Sequence, residues 1–522
     1  MEGTRMIKPG MEWPPKHYTP ALAQVAHDSV WVTGDLNQIR AHTEQPAPRP
    51  YQSRAQFNGG IVGAAARGVF GKPHLGGSAT VERHLPIAQE LVEAKGSMML
   101  GSPTAITVHQ DDEGNTQAVE ALARMTSSDE YAADLTHMGT RLSWMGWTFG
   151  RVAWNFDIDP DPWLEWVDAD RAMPVFEWGR LKAVHFWDAW EHDKHVYRLI
   201  ETHTLGRIEY ALYEGTDDKL GHTVPYTDLP ATEYLAQEGM LDSEGGMDTG
   251  IPWMTAWMIP NRDRNPQWRT DPQLRYLGMS DVQAAGHLLA DVDKAYTELW
   301  HEMDAGRARL MVSEEYLQHG GPGTGEVFDW WRDVYPLAPG ASADEAGRIE
   351  RVQFDLRTQQ YLDALEFPMV RAVGAWGLSA ITVGMDPTAT GAMTATEIRA
   401  KSDRTLNTFR TSARHIRAGL SVLETARLAI AAQRHNFPPP TKPVNVALVE
   451  PVQDTELDRA KTVQEWHAAE AVSLRHKVRT LHPEWDDTQV EAEVEEIRAE
   501  QRAMSPTDPF LLTPGPDIPV GE

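Results

Sequence analysis

The sequence predicts an α+β protein in which a strand-rich first half gives way to a helical second half. Two observations carry that prediction. Between residues 183 and 214, three short runs tend to alternate apolar and polar residues, and the breaks Asp193-Lys194 and Thr204-Leu205-Gly206 separate them. That is the pattern of an antiparallel meander. From Ser280 onward the apolar residues recur three and four apart, the spacing of helices with one buried face.

Taken in order, the first 80 or so residues are rich in Pro, Gly and polar side chains, with Trp13-Pro14-Pro15 and Pro46-Ala47-Pro48-Arg49-Pro50 among them. They predict an extended arm with little core of its own. Leu85, Ala88, Leu91, Val92, Met98 and Met99 predict a helix, which the turn Gly101-Ser102-Pro103 joins to a strand at 105–108. A second helix is predicted over 116–145, then strands near 147–154, 183–190, 195–202 and 207–214. Ser280 with Gln283 forms a capping-box pattern. Val282, Ala285, Leu289, Val292, Tyr296, Leu299 and Met303 continue it as a heptad-like seam, suited to a helix roughly 35 Å long at about 1.5 Å per residue, packed nearly parallel against neighbours.

Residues 307–354 predict a compact insertion with strand-like pieces at 310–312 and 352–354 around a Gly-rich stretch and the pair Trp330-Trp331. A helix over 358–376, a Gly- and Thr-rich segment to 395 and a long helix over 396–433 follow. In the long helix Leu406, Phe409, Ala413, Ile416, Leu420 and Leu423 repeat the seam. At about 100° per residue, Arg399, Arg410, Arg414 and Arg417 share one flank within an arc of about 60° beside it. Residues 397–427 hold seven Lys or Arg against three acids, locally basic in a chain of net charge -28. A strand at 444–449, helices over 462–481 and 488–504 and a Pro-rich tail, expected to be disordered, complete the chain.

Composition narrows function. With 76 acidic and 48 basic residues the chain is not built to wrap nucleic acid tightly, because such binding rests on Lys and Arg neutralising phosphates. The absence of cysteine removes disulfides, thiolate metal sites and thiol catalysis. No run of 18 apolar residues and no secretory leader is evident, so a soluble protein made inside the cell is expected, without a membrane partner. The 19 tryptophans suit either large buried contacts or a Trp-rich core.

Catalytic and metal motifs fail on inspection. Around Gly71-Lys72 a phosphate loop is broken by Ala66 and Pro73, and Gly321, Gly323 and Gly325 miss the dinucleotide pattern at Glu326. Asp157, Asp159 and Asp161 open like a calcium loop, but Pro162 and Asp168 stand where its Gly and Glu belong. His185, His192, His195 and His203 fall on the meander, where strand alternation explains them without a metal. No cofactor, metal or catalytic residue is therefore expected. The competing enzyme reading is a carbohydrate-processing hydrolase, for which abundant Trp and paired carboxylates would be needed.

Several stretches, in this order, resemble the portal proteins of tailed phages, in particular those of phages infecting actinobacteria: His84-Leu85-Pro86-Ile87-Ala88; Val167-Asp168-Ala169-Asp170-Arg171; Gly206-Arg207-Ile208-Glu209-Tyr210; Met258-Ile259-Pro260-Asn261; Ser280-Asp281 with Asp291 and Asp293; Thr394-Ala395-Thr396-Glu397-Ile398; Leu481-His482-Pro483-Glu484-Trp485. The resemblance spans about 84–503. It implies the portal fold: an N-terminal arm (1–83), an α/β wing (84–279), a stem helix (280–306), a small clip (307–355), a second stem helix (356–380), a tunnel loop (381–395), a tunnel helix with wing return (396–450), a helical crown (451–504) and a disordered tail (505–522).

The function implied is a non-enzymatic ring subunit, with twelve copies at one capsid vertex of the virion, assembled in the host cytoplasm. The ring would be the channel for DNA packaging and ejection. Its implied partners are further copies of itself, double-stranded DNA, the terminase large subunit, the head-tail adaptor, the major capsid protein and the scaffolding protein. Thr382, Val383, Gly384, Met385, Thr388, Thr390 and Gly391 would line the narrowest passage, and Trp330, Trp331, Arg332 and Tyr335 would dock partners from the clip. This loop carries no Lys or Arg, so a cationic contact to DNA falls to Arg399, Arg410, Arg414 and Arg417 on the helix after it. The alternative for those arginines is pairing with acids of a neighbouring subunit.

Overall fold

A computed structural model describes residues 7–43, 83–305, 357–385, 395–451 and 456–504, except 193, 238–239, 263, 470–471 and 483–486, together with four short strands between 309 and 352. The fold is α+β. The chain divides into two compact units, Met1–Asp386 with Asp403–Pro451, and Pro387–Ser402 with Val452–Glu522.

The first unit starts differently from expectation. Thr19–Thr33 (α1) and Leu36–Thr43 (α2) are helical, whereas the sequence predicted an extended arm. Tyr18, Ala21, Val25, Val30 and Trp31 are all buried; the gaps of three, four and five from Tyr18 to Val30 supply a core-facing stripe that the surrounding Pro and Gly content obscures. Tyr18 donates its hydroxyl to the Ala172 carbonyl at 3.0 Å, and Trp13 meets Trp187 edge-on at 5.2 Å, so this segment belongs to the main core.

Ile87–Leu100 (α3) leads to β1 (Ala105–Thr107). The single helix predicted over 116–145 is two, Thr116–Thr126 (α4) and Asp129–Met145 (α5), because Ser128 turns extended and its Oγ accepts from Tyr131 N at 3.1 Å. The strands β2 (Trp147–Ala153), β3 (Trp163–Val167), β4 (Ala172–Glu177), β5 (Arg180–His192), β6 (His195–Thr204), β7 (Arg207–Thr216), β8 (Lys219–Val224), β9 (Gly246–Asp248) and β10 (Ala256–Pro260) follow. β4 to β8 form the antiparallel meander in sequence order, with β9 added on β7. A second sheet runs β10-β2-β3.

The predicted helix from Ser280 is interrupted. Asp281–Ala285 (α6) and His287–Ala305 (α7) flank Gly286, whose φ of +48° breaks the helical backbone. Its seam is buried at Val282, Ala285, Leu289, Val292 and Leu299 but exposed at Met303. α7 packs on Thr358–Ala375 (α8). Arg357, just before α8, pairs with Glu302 near the end of α7, and Arg262 Nη2 donates to Ala375 O at the other end at 2.6 Å. The two helices are therefore antiparallel. Between them β11 (Arg309–Met311) pairs with β14 (Glu350–Val352), and inside that ladder β12 (Gln318–His319) pairs with β13 (Glu326–Val327). The strand-like pieces read from the sequence are thus the two sides of one ladder, shifted by one or two residues.

Ala395–His435 (α9) is a 41-residue helix. All six residues of its predicted seam are at most 3% exposed, and burial of each large member is worth roughly 1.5–3 kcal/mol. It lies directly on the sheet β10-β2-β3: a Cβ at Gly150 would stand 2.5 Å from Leu423 Cδ1, and one at Gly419 2.4 Å from Ile259 Cγ1. The chain then returns to the first half as β15 (Asn445–Ala447), antiparallel to β1. In the second unit, Glu456–Ala468 (α10), Leu474–Leu481 (α11) and Asp487–Met504 (α12) replace the two helices expected there, because Ser473 caps a new start, its Oγ accepting from His476 N. Val478, Val490 and Val494 form its core. The tail from 505 lies outside the described residues.

Candidate nucleic-acid-facing helix and its anchors

α9 presents one flank to the core and another to the surface, and the predicted arginines divide along it. Arg410, Arg414 and Arg417 are exposed. Arg410 makes a two-pronged ion pair with Glu450 at 2.8 and 3.2 Å, which raises the guanidinium pKa, first through that hydrogen bond. Arg417 Nε donates to Ala413 O of the preceding turn at 3.2 Å. The side chain of Arg399 lies outside the described residues. Arg427, counted with the basic run, is instead buried: it donates to the carbonyls of Pro162 and Met125 and faces Glu424, which accepts from the Tyr131 hydroxyl at 2.7 Å.

The segment before α9 is tied to its side. Trp376 is fully buried, and Gly377, at φ +78°, brings its carbonyl to Thr408 Oγ1 at 2.7 Å. Thr405 then receives two contacts, from Ser379 N and from Thr382 Oγ1, both at 2.8 Å. Of the predicted channel residues, Thr382 and Gly384 are exposed while Val383 and Met385 pack partly against the helical core. Thr388, Thr390 and Gly391 lie outside the described residues, as do Trp330, Trp331, Arg332 and Tyr335.

Beneath the helical pair sits a buried polar junction that sequence reasoning missed. Asp281 Oδ2 accepts from Lys95 Nζ at 2.6 Å and Ser143 Oγ at 2.7 Å, while Oδ1 accepts from Arg262 Nε at 2.7 Å. Lys95 also donates to Asn261 Oδ1 at 3.0 Å. Burial pushes the Asp281 carboxyl up, but Lys95, Arg262 and the donated hydrogen bonds outweigh it and hold the group below the usual carboxylate range. Nearby, Asp293 accepts from Leu85 N at 2.9 Å and stands 2.7 Å from His84 Nδ1. Asn261, Asp281, His84 and Asp293 all lie in stretches quoted above for the family resemblance, and here they meet. The signal was present as motif text; the pairing was not, since 138 to 209 residues separate all of the partners but Arg262 and Asp281.

Two places bear on an enzyme reading. Thr255 Oγ1, His203 and Glu201 are joined at 2.7 and 2.6 Å in the order of a catalytic triad. Thr255 and His203 are fully buried, so no substrate reaches the hydroxyl, and the trio holds sheet to sheet. A cleft of about 270 Å³ is lined by Trp166 and Trp187 with Glu165, Asp168 and Asp188. Each carboxylate faces its own arginine: Arg151 at 2.9 Å, Arg141 at 3.3 Å and Arg171 at 3.2 Å respectively. Burial pushes the Asp168 carboxyl up despite Arg141, but Glu165 and Asp188 are held by their arginines, so no free carboxylate stands opposite Asp168 to complete an acid–base pair, and the sugar-hydrolase alternative gains no support. Among the described residues no group of three or more His, Cys, Asp or Glu is placed to hold a metal, and no helix is long and apolar enough to cross a membrane.

No protein-family model and no curated protein matches the sequence. Solved structures with a likeness to it include a chain of the virion of the native gene transfer agent (GTA) particle, at 13% identity and a TM-score of 0.41 over 86% of this chain and 98% of that one. A chain of the neck of the empty GTA particle, computed with C6 symmetry, is 15% identical with a TM-score of 0.43 over 76% of this chain and 90% of that one. A chain of the native neck, computed with C12 symmetry, is 14% identical with a TM-score of 0.40, over 85% and 97%.

Proposed function

We propose that this chain is the portal subunit of a phage-like particle, assembling into a ring, of twelve copies by family resemblance, through which DNA passes. The observation that carries the reading is the order of elements: an antiparallel helix pair, α7 and α8, enclosing a small β insertion, followed by the 41-residue α9 and a strand that rejoins β1. That order is the stem, clip, stem, tunnel helix and wing return of the portal family. In a ring, such helix pairs from successive subunits would pack side by side, as antiparallel helices do in bundles.

The electrostatics fit a conduit better than a clamp. Each neutralised phosphate adds affinity, so a strong cationic lining would have to be broken at every step of DNA movement. Here Glu450 balances Arg410, and exposed Arg414 and Arg417 remain as a sparse, evenly repeatable attraction. Terminase, adaptor, capsid and scaffolding proteins would be its partners, at the portal vertex of the virion and in the host cytoplasm during assembly.

Light scattering combined with electron-microscope class averages of the purified chain tests this. Rings with a central hole are expected; a compact monomer at every concentration, salt and magnesium condition overturns the reading.

A further inference from the structure

At one end of the meander the turn between β4 and β5 consists of Trp178 and Gly179, both at positive φ, +53° and +79°. Asn-Gly suits such a turn; a bulky side chain in the left-handed region is an outlier that surrounding structure must hold in place. Trp178 is nevertheless 95% exposed. β5 pairs with β6 only from Val184 onward, so the hairpin projects beyond the rest of the sheet. Its tip is net cationic: Glu177 is paired with Lys182 at 2.6 Å, Arg180 is exposed, and Arg264 and Arg275 stack at 5.0 and 4.8 Å on Tyr276, whose ring lies 4.6 Å from that of Phe176.

The opposite flank of the same sheet carries the complement. β4 is one edge, while β8 and β9 lie on the other side of β7. There, at the end of the sheet where β7 begins, Trp154, Phe156, Met247, Thr249, Gln433 and Arg434 line an open pocket of about 250 Å³. Thr249 is a buried member of that lining. The rim is net acidic: Arg434 stacks on Phe156 at 4.6 Å, while Asp248 also lines the pocket and shares Arg207 with Asp242 at 3.1 and 2.6 Å. Glu244 and Asp157 stand exposed on the adjoining loops.

We infer that Trp178 of one copy seats in this pocket of the next, with Arg180 and its neighbours against the acidic rim. Knob and hole stand at the same end of the sheet but on opposite edges, so a sideways step from copy to copy brings them together. The contact is heterologous and closes into a ring when the rotation allows. A tryptophan in a pocket ringed by complementary charge is the usual anatomy of an interface anchor. The contact rests on the proposed ring and names the surfaces that make it.

The test places a photoreactive benzoyl-phenylalanine at Trp178 in the full chain and maps the links after irradiation. Links to a second chain at Trp154, Phe156 or residues 247–249 are expected. Trp178→Ala should raise the concentration at half-assembly at least tenfold with an unchanged melting temperature. Rings whose links map elsewhere, or that assemble as well without Trp178, overturn this contact and leave the ring standing. Links at the pocket in a protein that stops at dimers keep the contact and overturn the ring. Absence of any link between chains overturns the contact, as does a Trp178-dependent shift of duplex DNA without such links.

Discussion

Asp281 is the residue on which most side-chain contacts converge at the base of the helical pair, and its environment makes two separable statements about stability. Replacing it with Asn leaves the buried Lys95 ammonium without a counter-charge, a change that costs about 3–5 kcal/mol when one partner of a buried pair is removed. Asp281→Asn should therefore show a large drop in denaturant midpoint, and an unchanged midpoint would contradict the assignment. The pH dependence has a definite sign. Because the folded Asp281 carboxyl titrates below its unfolded value near 3.9, its stabilisation is present above that pH and is lost as pH falls through the folded pKa. His185 acts in a higher window. Burial pushes it down to about 4, so the unfolded chain binds a proton that the folded one refuses between roughly pH 6.5 and 4, and stability declines across that range. Melting temperature against pH should fall in two stages, and His185→Gln should flatten the first alone. None of this was legible beforehand: the sequence marks His185 as a strand residue and Asp281 as a helix opener, but not what packs over them.

At the scale of elements, legibility followed periodicity. The seam of α9 was readable because a long helix buried along one face must repeat every three to four residues whatever it packs against, and all six seam positions are buried. The three central strands of the meander, β5 to β7, were readable because the breaks between them are short. What failed were elements whose cause is not periodic: α1, hidden by neighbouring Pro and Gly; the break at Gly286, where one glycine interrupts an unbroken apolar pattern; β3, β4 and β8, whose edges are aromatic or polar. Nor does periodicity reveal which face of α9 the sheet meets, and that is set by Gly150 and Gly419. Either site tolerates no Cβ without displacing Leu423, Trp166 or Ile259. Gly419→Val should destabilise by about 1–3 kcal/mol through overpacking, and Leu420→Ala by about 2–5 kcal/mol through the cavity left behind. Differential scanning calorimetry checks both; a neutral Gly419→Val would mean that the helix and sheet do not meet so closely.

For the whole molecule the proposed DNA conduit poses the question of how a chain of net charge -28 would handle a polyanion. A ring of such subunits repels duplex DNA beyond roughly a Debye length, about 8–10 Å at physiological salt, and only nearer contacts attract. With Arg410 committed to Glu450, those contacts fall to Arg414 and Arg417. Binding of a short duplex to assembled rings should accordingly be weak, within the roughly 10⁻⁴–10⁻⁶ M range of non-specific association, and steeply salt dependent. Replacing Arg414 and Arg417 together by Gln should weaken it further and lower the slope of log K against log salt by about 0.9 for each phosphate that is no longer neutralised. Ring mass should stay the same, since both side chains are exposed and neither forms an ion pair with a described residue. Fluorescence anisotropy at a series of salt concentrations measures the slope. If it does not change, DNA meets some other surface of the ring, and the flank of α9 returns to the alternative of pairing with acids on a neighbouring subunit, where the same substitutions would alter ring mass instead.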